Sequence, residues 1–154
     1  AKNVLRYKKI VDRAGREGHA RENHSFSHPR LTRVSASGLK REVVESTEIM
    51  TSRYGDRPLF FRCPHGEFNG HVREAIAKQN MVHVFWNVDS LDWKIKDPNR
   101  VKSLVLKQMQ KHRSGIVLFH DIKAHTSAVA DQVLTEHRNK RWVTIPEAVQ
   151  ELNR

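Results

Sequence analysis

Three apolar segments dominate the patterning of this chain, Leu59–Phe61, Met81–Val88 and Gly115–His120, and each gap between them carries apolar residues at helical spacing. A strand apolar at nearly every position is buried on both faces. Helices alternating with such strands supply the two covers, so the pattern predicts a parallel α/β sheet wrapped by helices, closed as a barrel or left open. With 154 residues and no repeat, low-complexity tract or Pro/Gly/Ser linker, residues 1–154 read as a single domain.

The detailed expectation follows from periodicity and caps. Val4, Tyr7, Val11 and Ala14 predict a first helix ending before Gly15 and Gly18, followed by an extended segment over 19–24. Ser35 or Ser37 can cap a helix carrying Leu39, Val43, Met50 and Tyr54, which Gly55 ends. Leu59–Phe61 then forms a strand, Asn69 caps a helix through Gln79, and 81–88 is one strand. Asp97 caps a helix from Pro98 to about His112, and 115–120 is a strand. A helix over 126–138, a short strand at Trp142–Val143, and a last helix opened by the capping-box pair Thr144 and Glu147 complete the chain.

Composition removes several function classes. The single cysteine, Cys63, excludes a disulfide scaffold and a four-thiolate zinc site, and without an 18-residue apolar run no membrane span is expected. The first ten residues hold scattered charges and no apolar core, so no signal peptide is read there. Twenty-eight Lys and Arg against 17 Asp and Glu leave a net charge of +11. Basic runs at 6–9, 13–16 and 111–113 are short and fall in segments that look helical, where they form solvated faces. A nucleic-acid partner is therefore not expected, while an anionic glycan suits the charge equally well.

In α/β sheets function gathers at the C-terminal strand ends, and the chemically loaded residues fall there. His24 and His28, four apart in a segment that Pro29 keeps from continuing as a helix, offer two nitrogen ligands to a divalent ion; the same spacing fits two surface or core histidines. Arg62-Cys63-Pro64-His65-Gly66 forms a tight turn that can aim backbone N–H groups at an oxyanion, or can be an ordinary turn. Cys63 as a nucleophile is disfavoured, since a small semi-buried thiol beside a turn is commonplace. Asp89 to Trp93 offers two carboxylates and an indole, or a cap and a packed ring, and His120 ends an apolar strand where a carboxylate partner would fix its tautomer.

Taken together, His24 to Pro29 (HSxxHP), Arg62 to Gly66 (RxPxG), Asp89 to Trp93 (DxxDW) and Leu118 to His120 (LxH) stand in an order that resembles the polysaccharide deacetylases, the NodB homology domain or carbohydrate esterase family four. The resemblance runs over essentially the whole chain and is most like the peptidoglycan N-acetylglucosamine deacetylases. It implies a distorted (β/α) barrel that removes N-acetyl groups from N-acetylglucosamine polymers, peptidoglycan first and chitin oligomers second, with one divalent metal, zinc or else cobalt or nickel. It further implies His24 and His28 as metal ligands, Arg62 as the holder of a base aspartate, and Asp92 as the orienter of His120, the general acid. Trp93 and Leu118 would line the acetyl pocket with Pro64, and the His65 N–H would complete the oxyanion hole.

Position 65, usually Tyr in the family, is His here. The family's first motif, a TFDDG-like stretch bearing the base Asp and a third metal ligand, has no copy in the chain, so a domain lacking its first strand and inactive by itself is expected. The alternative is a catalytically inactive glycan-binding pseudoenzyme of the same fold. A monomer in an extracytoplasmic location is implied in either case.

Overall fold

The computed structural model of the chain describes residues 1–152, in which helices alternate with short parallel strands. Two compact units can be distinguished: Ala1–Phe85 with residues 149–152, and Trp86–Ala148.

The first unit opens with α1 (Lys2–Arg6) and α2 (Lys8–Arg16), where a single helix was expected; Tyr7, at φ −115° and ψ 45°, breaks it. Gly18, at φ 84°, follows the end of α2. The segment expected to be extended over 19–24 pairs only through Asn23, in a parallel bridge with Phe61. Ser35 caps α3 (Ala36–Leu39) by accepting from Gly38 N at 3.1 Å. The expected long helix continues, but through a π-helical stretch, Lys40–Glu45, into α4 (Ser46–Tyr54), and Gly55 ends it at φ 80°.

Strand β1 (Phe60–Arg62) lies one residue later than Leu59–Phe61, and β2 (Val82–Val84) pairs with it in parallel, Phe61 opposite His83. Between them runs α5 (Gly70–Ala77), capped by the Asn69 side chain, which accepts from Val72 N at 3.0 Å. Leu31, Val43, Phe61, Cys63, Val72, Ile76 and Met81 form the core of this unit.

The apolar run 81–88 is not one strand. Its second part, β3 (Val88–Asp89), belongs to the second unit and pairs in parallel with β4 (Val117–Leu118). The break has a physical cause in Asn87, whose side chain accepts from Ile116 N at 2.9 Å and donates to Ser114 O at 3.3 Å. A polar side chain thus takes the place of ladder bonds. The close approach requires Gly115, because a Cβ there would stand 2.2 Å from Asn87 Oδ1.

Helices α6 (Pro98–Met109), capped by Asp97, and α7 (Thr126–Glu136) pack together over this strand pair, and Val88, Val101, Val105, Val129 and Val133 make the core. The basic run 111–113 lies beyond the end of α6 rather than on it. Trp142–Val143 is not a strand; the indole donates to His137 O at 3.2 Å, and no strand among the described residues lies beside it. Glu147 accepts from both Thr144 N at 2.7 Å and Thr144 Oγ1 at 2.8 Å, the expected capping box, at the start of α8 (Ile145–Leu152). Two separate two-stranded parallel sheets are observed, so the architecture is mixed α/β.

Asn69→Ala removes the only side-chain cap of α5, the helix that brings Val72 and Ile76 to the core. Chemical denaturation is expected to show a loss of about 1 kcal/mol.

Candidate active site

The first unit brings His24, His28, Arg62 and His65 together. Asn23 docks alongside β1 through Asn23 N to Phe60 O at 3.1 Å and Arg62 N to Asn23 O at 3.0 Å. His24 consequently emerges beside the β1 terminus, where its Nδ1 donates to Arg62 O at 2.5 Å. That bond fixes the tautomer and makes Nε2 the lone-pair nitrogen, the arrangement usual for a metal-ligating histidine. The His24 and His28 rings lie edge to face with centroids 4.9 Å apart, and His28 meets His65 in the same way at 4.8 Å. Two imidazoles of this kind suit zinc or a similar ion. Among the described residues no group of three His, Cys, Asp or Glu side chains is positioned to hold a metal.

The loop between these histidines is held by residues that sequence reasoning missed. Asn23, 1% exposed, donates its side-chain amide to Ser46 Oγ and Thr47 Oγ1 at 2.9 Å each and accepts from Ser25 N at 3.0 Å. Glu42, 5% exposed, accepts from Phe26 N and Ser27 N. Buried polar side chains that hold a loop, one from its own start and one from a helix, are invisible to periodicity, which reads only apolar faces. At the β1 end, Pro64 is buried and His65 is exposed, with His65 in the left-handed region at φ 58°.

In the second unit the buried Asp92 carboxylate gathers three donors. His120 Nδ1 reaches Oδ1 at 2.6 Å, and His120 N and Thr126 Oγ1 reach Oδ2 at 2.7 and 2.6 Å. Burial alone pushes the Asp92 carboxyl up, but its hydrogen bonds, those from Thr126 and His120 foremost, outweigh it and hold it below the ordinary value of 3.8. Leu118 is buried nearby in sequence, and Trp93 stands 56% exposed, so its indole is not a packed core ring. Asp89 has a structural role: it accepts from Leu91 N at 2.9 Å and Trp86 Nε1 at 3.2 Å, while Gln108 clamps its backbone N–H and carbonyl. Thr126 and Gln108 were also missed, and only the tertiary contact reveals them.

The model of the polysaccharide deacetylase family matches residues 1–84, more than half of the chain. The chain belongs to the polysaccharide deacetylase family. It is 28% identical to the peptidoglycan-N-acetylglucosamine deacetylase of Bacillus cereus over 155 aligned residues, 96% of this chain and 55% of that protein. It is 30% identical to the peptidoglycan-N-acetylmuramic acid deacetylase PdaC of Bacillus subtilis over 85% of this chain and 27% of that protein. The solved structure of PdaC superposes with a TM-score of 0.81 at 27% identity, covering 99% of this chain and 75% of that one. A mutant with restored enzymatic activity of a Bacillus anthracis pseudoenzyme of carbohydrate esterase family four gives 0.78 at 25% identity, over 90% of this chain and 48% of that one. The chain thus spans about half the length of the first of these relatives and about a quarter of the second.

Within this member of the family, Cys63 is fully buried and its thiol is pushed up to about 12 by burial, which removes it as a nucleophile. Native protein at pH 8 is expected to leave Cys63 unmodified by a disulfide reagent that titrates one thiol after unfolding. Labelling of the folded form at the unfolded rate would contradict the burial.

Thr126→Val should raise the Asp92 pKa and destabilise the fold by about 1–3 kcal/mol, because it strips a donor from a buried carboxylate. Since the folded-state pKa is depressed, the Asp92 contribution is fully present above pH about 4 and is lost as pH falls through the lower folded value. Denaturation midpoints of wild type and variant should accordingly converge at low pH.

Proposed function

We propose that this domain hydrolyses N-acetyl groups from N-acetylglucosamine residues of peptidoglycan, with chitin-type oligomers as a second substrate class and one divalent metal, zinc or else cobalt or nickel, as cofactor. The observation that carries the reading is the Asp92–His120 pair, a buried acceptor of three hydrogen bonds locking one imidazole nitrogen at the end of a strand. The peptidoglycan deacetylases among the relatives support the substrate class, and a net charge of +11 suits a wall glycan whose peptides carry carboxylates.

His24 and His28 would hold the metal, which when bound supplies a water of lowered pKa and polarises the acetyl carbonyl. Every other part falls to the chain itself. With Nδ1 engaged by Asp92, protonated His120 presents Nε2–H to the departing nitrogen, so the C–N bond breaks to an amine rather than an amide anion. Arg62 is suited to hold a base carboxylate, the His65 N–H to bond the oxyanion, and Pro64, Trp93 and Leu118 to wall the acetyl methyl. The reading carries with it an extracytoplasmic location and a monomer acting on a polymer. Among the described residues no helix is long and apolar enough to cross a membrane.

A second reading, a glycan-binding pseudoenzyme, is favoured by one observation. The ligand group among the described residues stops at two imidazoles, and a pseudoenzyme stands among the similar structures.

Acetate release from peptidoglycan and from N-acetylglucosamine oligomers separates the two. The 154-residue chain by itself is expected to release little or none, so the comparison is made on a version extended through a TFDDG-like first motif: metal-dependent release by that version, lowered roughly 10²- to 10⁴-fold by His120→Asn with folding and glycan binding intact, is the outcome expected of the enzyme. Saturable peptidoglycan binding by the extended version with no acetate released would establish the second reading instead.

A further inference from the structure

We infer that Glu42 is a positioning residue for the His24–His28 pair, acting through the loop between them; the inference rests on the reading of those histidines as metal ligands. Glu42 sits in the π-helical stretch Lys40–Glu45, and π-helical turns inside α-helices recur at functional sites. Its buried carboxylate accepts from three loop donors: Phe26 N at 3.0 Å and Ser27 N at 2.8 Å on one oxygen, and Ser27 Oγ at 2.6 Å on the other.

The neighbouring residues engage the same loop. The Arg41 guanidinium lies over the Phe26 ring, 4.9 Å from its centroid. Ser46 and Thr47, one turn on, receive the Asn23 amide. Residues 41 to 47 thus grip the loop at 23, 26 and 27, on both sides of His24 and directly before His28.

The grip is needed because the loop takes a backbone course that it would not adopt alone. Ser25 at φ 70° and His28 at φ 68° are both left-handed without being glycine, a conformation that persists only where surrounding bonds over-determine it. An acceptor-only group matches three converging donors. A glutamine there is sterically equal but neutral: its oxygen keeps the two N–H bonds without charge assistance, and the Ser27 hydroxyl must turn round to accept from the NH₂. The two imidazoles are four residues apart on this loop, and their mutual placement depends on its course.

The test is cobalt(II) titration of the 154-residue chain, read from the visible d–d absorption of the ion and by calorimetry, with thermal unfolding measured in parallel. Wild type should bind in a His28-dependent manner, His28→Ala abolishing the band. Glu42→Gln should weaken cobalt affinity roughly 10- to 100-fold, the usual cost of losing a group that orients metal ligands. Ile76→Val, a mild core destabilisation in the same unit, should bind within about twofold of wild type, so the loss is not a general effect of lowered stability. Glu42→Gln binding within about twofold of wild type would overturn the role of Glu42 while leaving the metal site standing. Absence of any His28-dependent binding by wild type would overturn the metal-ligand reading and this inference with it. Should Glu42→Gln not fold, Ser27→Ala, which removes one of the three donors at an exposed residue, takes its place. A several-fold weakening supports the role, and unchanged affinity refutes it.

Discussion

The first unit depends on one parallel pairing, Asn23 against Phe60–Arg62. Two backbone bonds at about 3 Å place the residue after Asn23 beside the carbonyl of Arg62, and His24 thereby finds the acceptor that fixes its tautomer. The Asn23 side chain ties the same point to α4. Were the pairing to slip by one residue, His24 would exchange faces with Asn23, and an imidazole would meet the hydroxyls of Ser46 and Thr47 while the amide met the site. The buried amide is therefore a register device as much as a hydrogen-bonded core residue.

The second unit uses a different device for the same end. A carboxylate withdrawn from water at Asp92 is tolerable only with its acceptor capacity filled, and two of its three bonds go to His120 and one to the first residue of α7. The demand of the carboxylate for donors thus orders the β4 end and the start of α7 together. Replacing His120 disturbs only one of these bonds if its backbone N–H stays in place.

Sequence periodicity located the helices well, because Asn69, Asp97, Ser35 and the Thr144–Glu147 pair announce helix starts by local chemistry alone. It failed where tertiary bonds competed with propensity. The apolar run 81–88 reads as one strand, yet Asn87 diverts it by taking ladder bonds with its side chain, and Trp142–Val143 reads as a strand but pairs with none among the described residues. The candidate site segments stand out in the sequence as ordered motifs. Glu42, Gln108 and Thr126 do not, since a polar side chain serving a loop tens of residues away leaves no period and no local signature.

The backbone itself marks the motifs. Among the described residues five non-glycine residues have positive φ, and four of them, Ser25, His28, His65 and Leu91, fall inside the HSxxHP, RxPxG and DxxDW segments; Asn80, at the end of α5, is the fifth. A β-strand end has no intrinsic reason to adopt left-handed turns, and each such residue costs about 1–3 kcal/mol that its neighbours must offset. The offsets can be named: Ser25 Oγ accepting from His28 N at 3.0 Å, Asp89 Oδ1 accepting from Leu91 N, and Cys63 O accepting from Gly66 N across the His65 turn. Strain concentrated at motif residues, balanced by bonds from within the same motif and, for HSxxHP, by Glu42 as well, is the physical content of those short patterns. It explains the place of their small polar members: Ser25 holds the backbone of His28, and Asp89 holds that of Leu91.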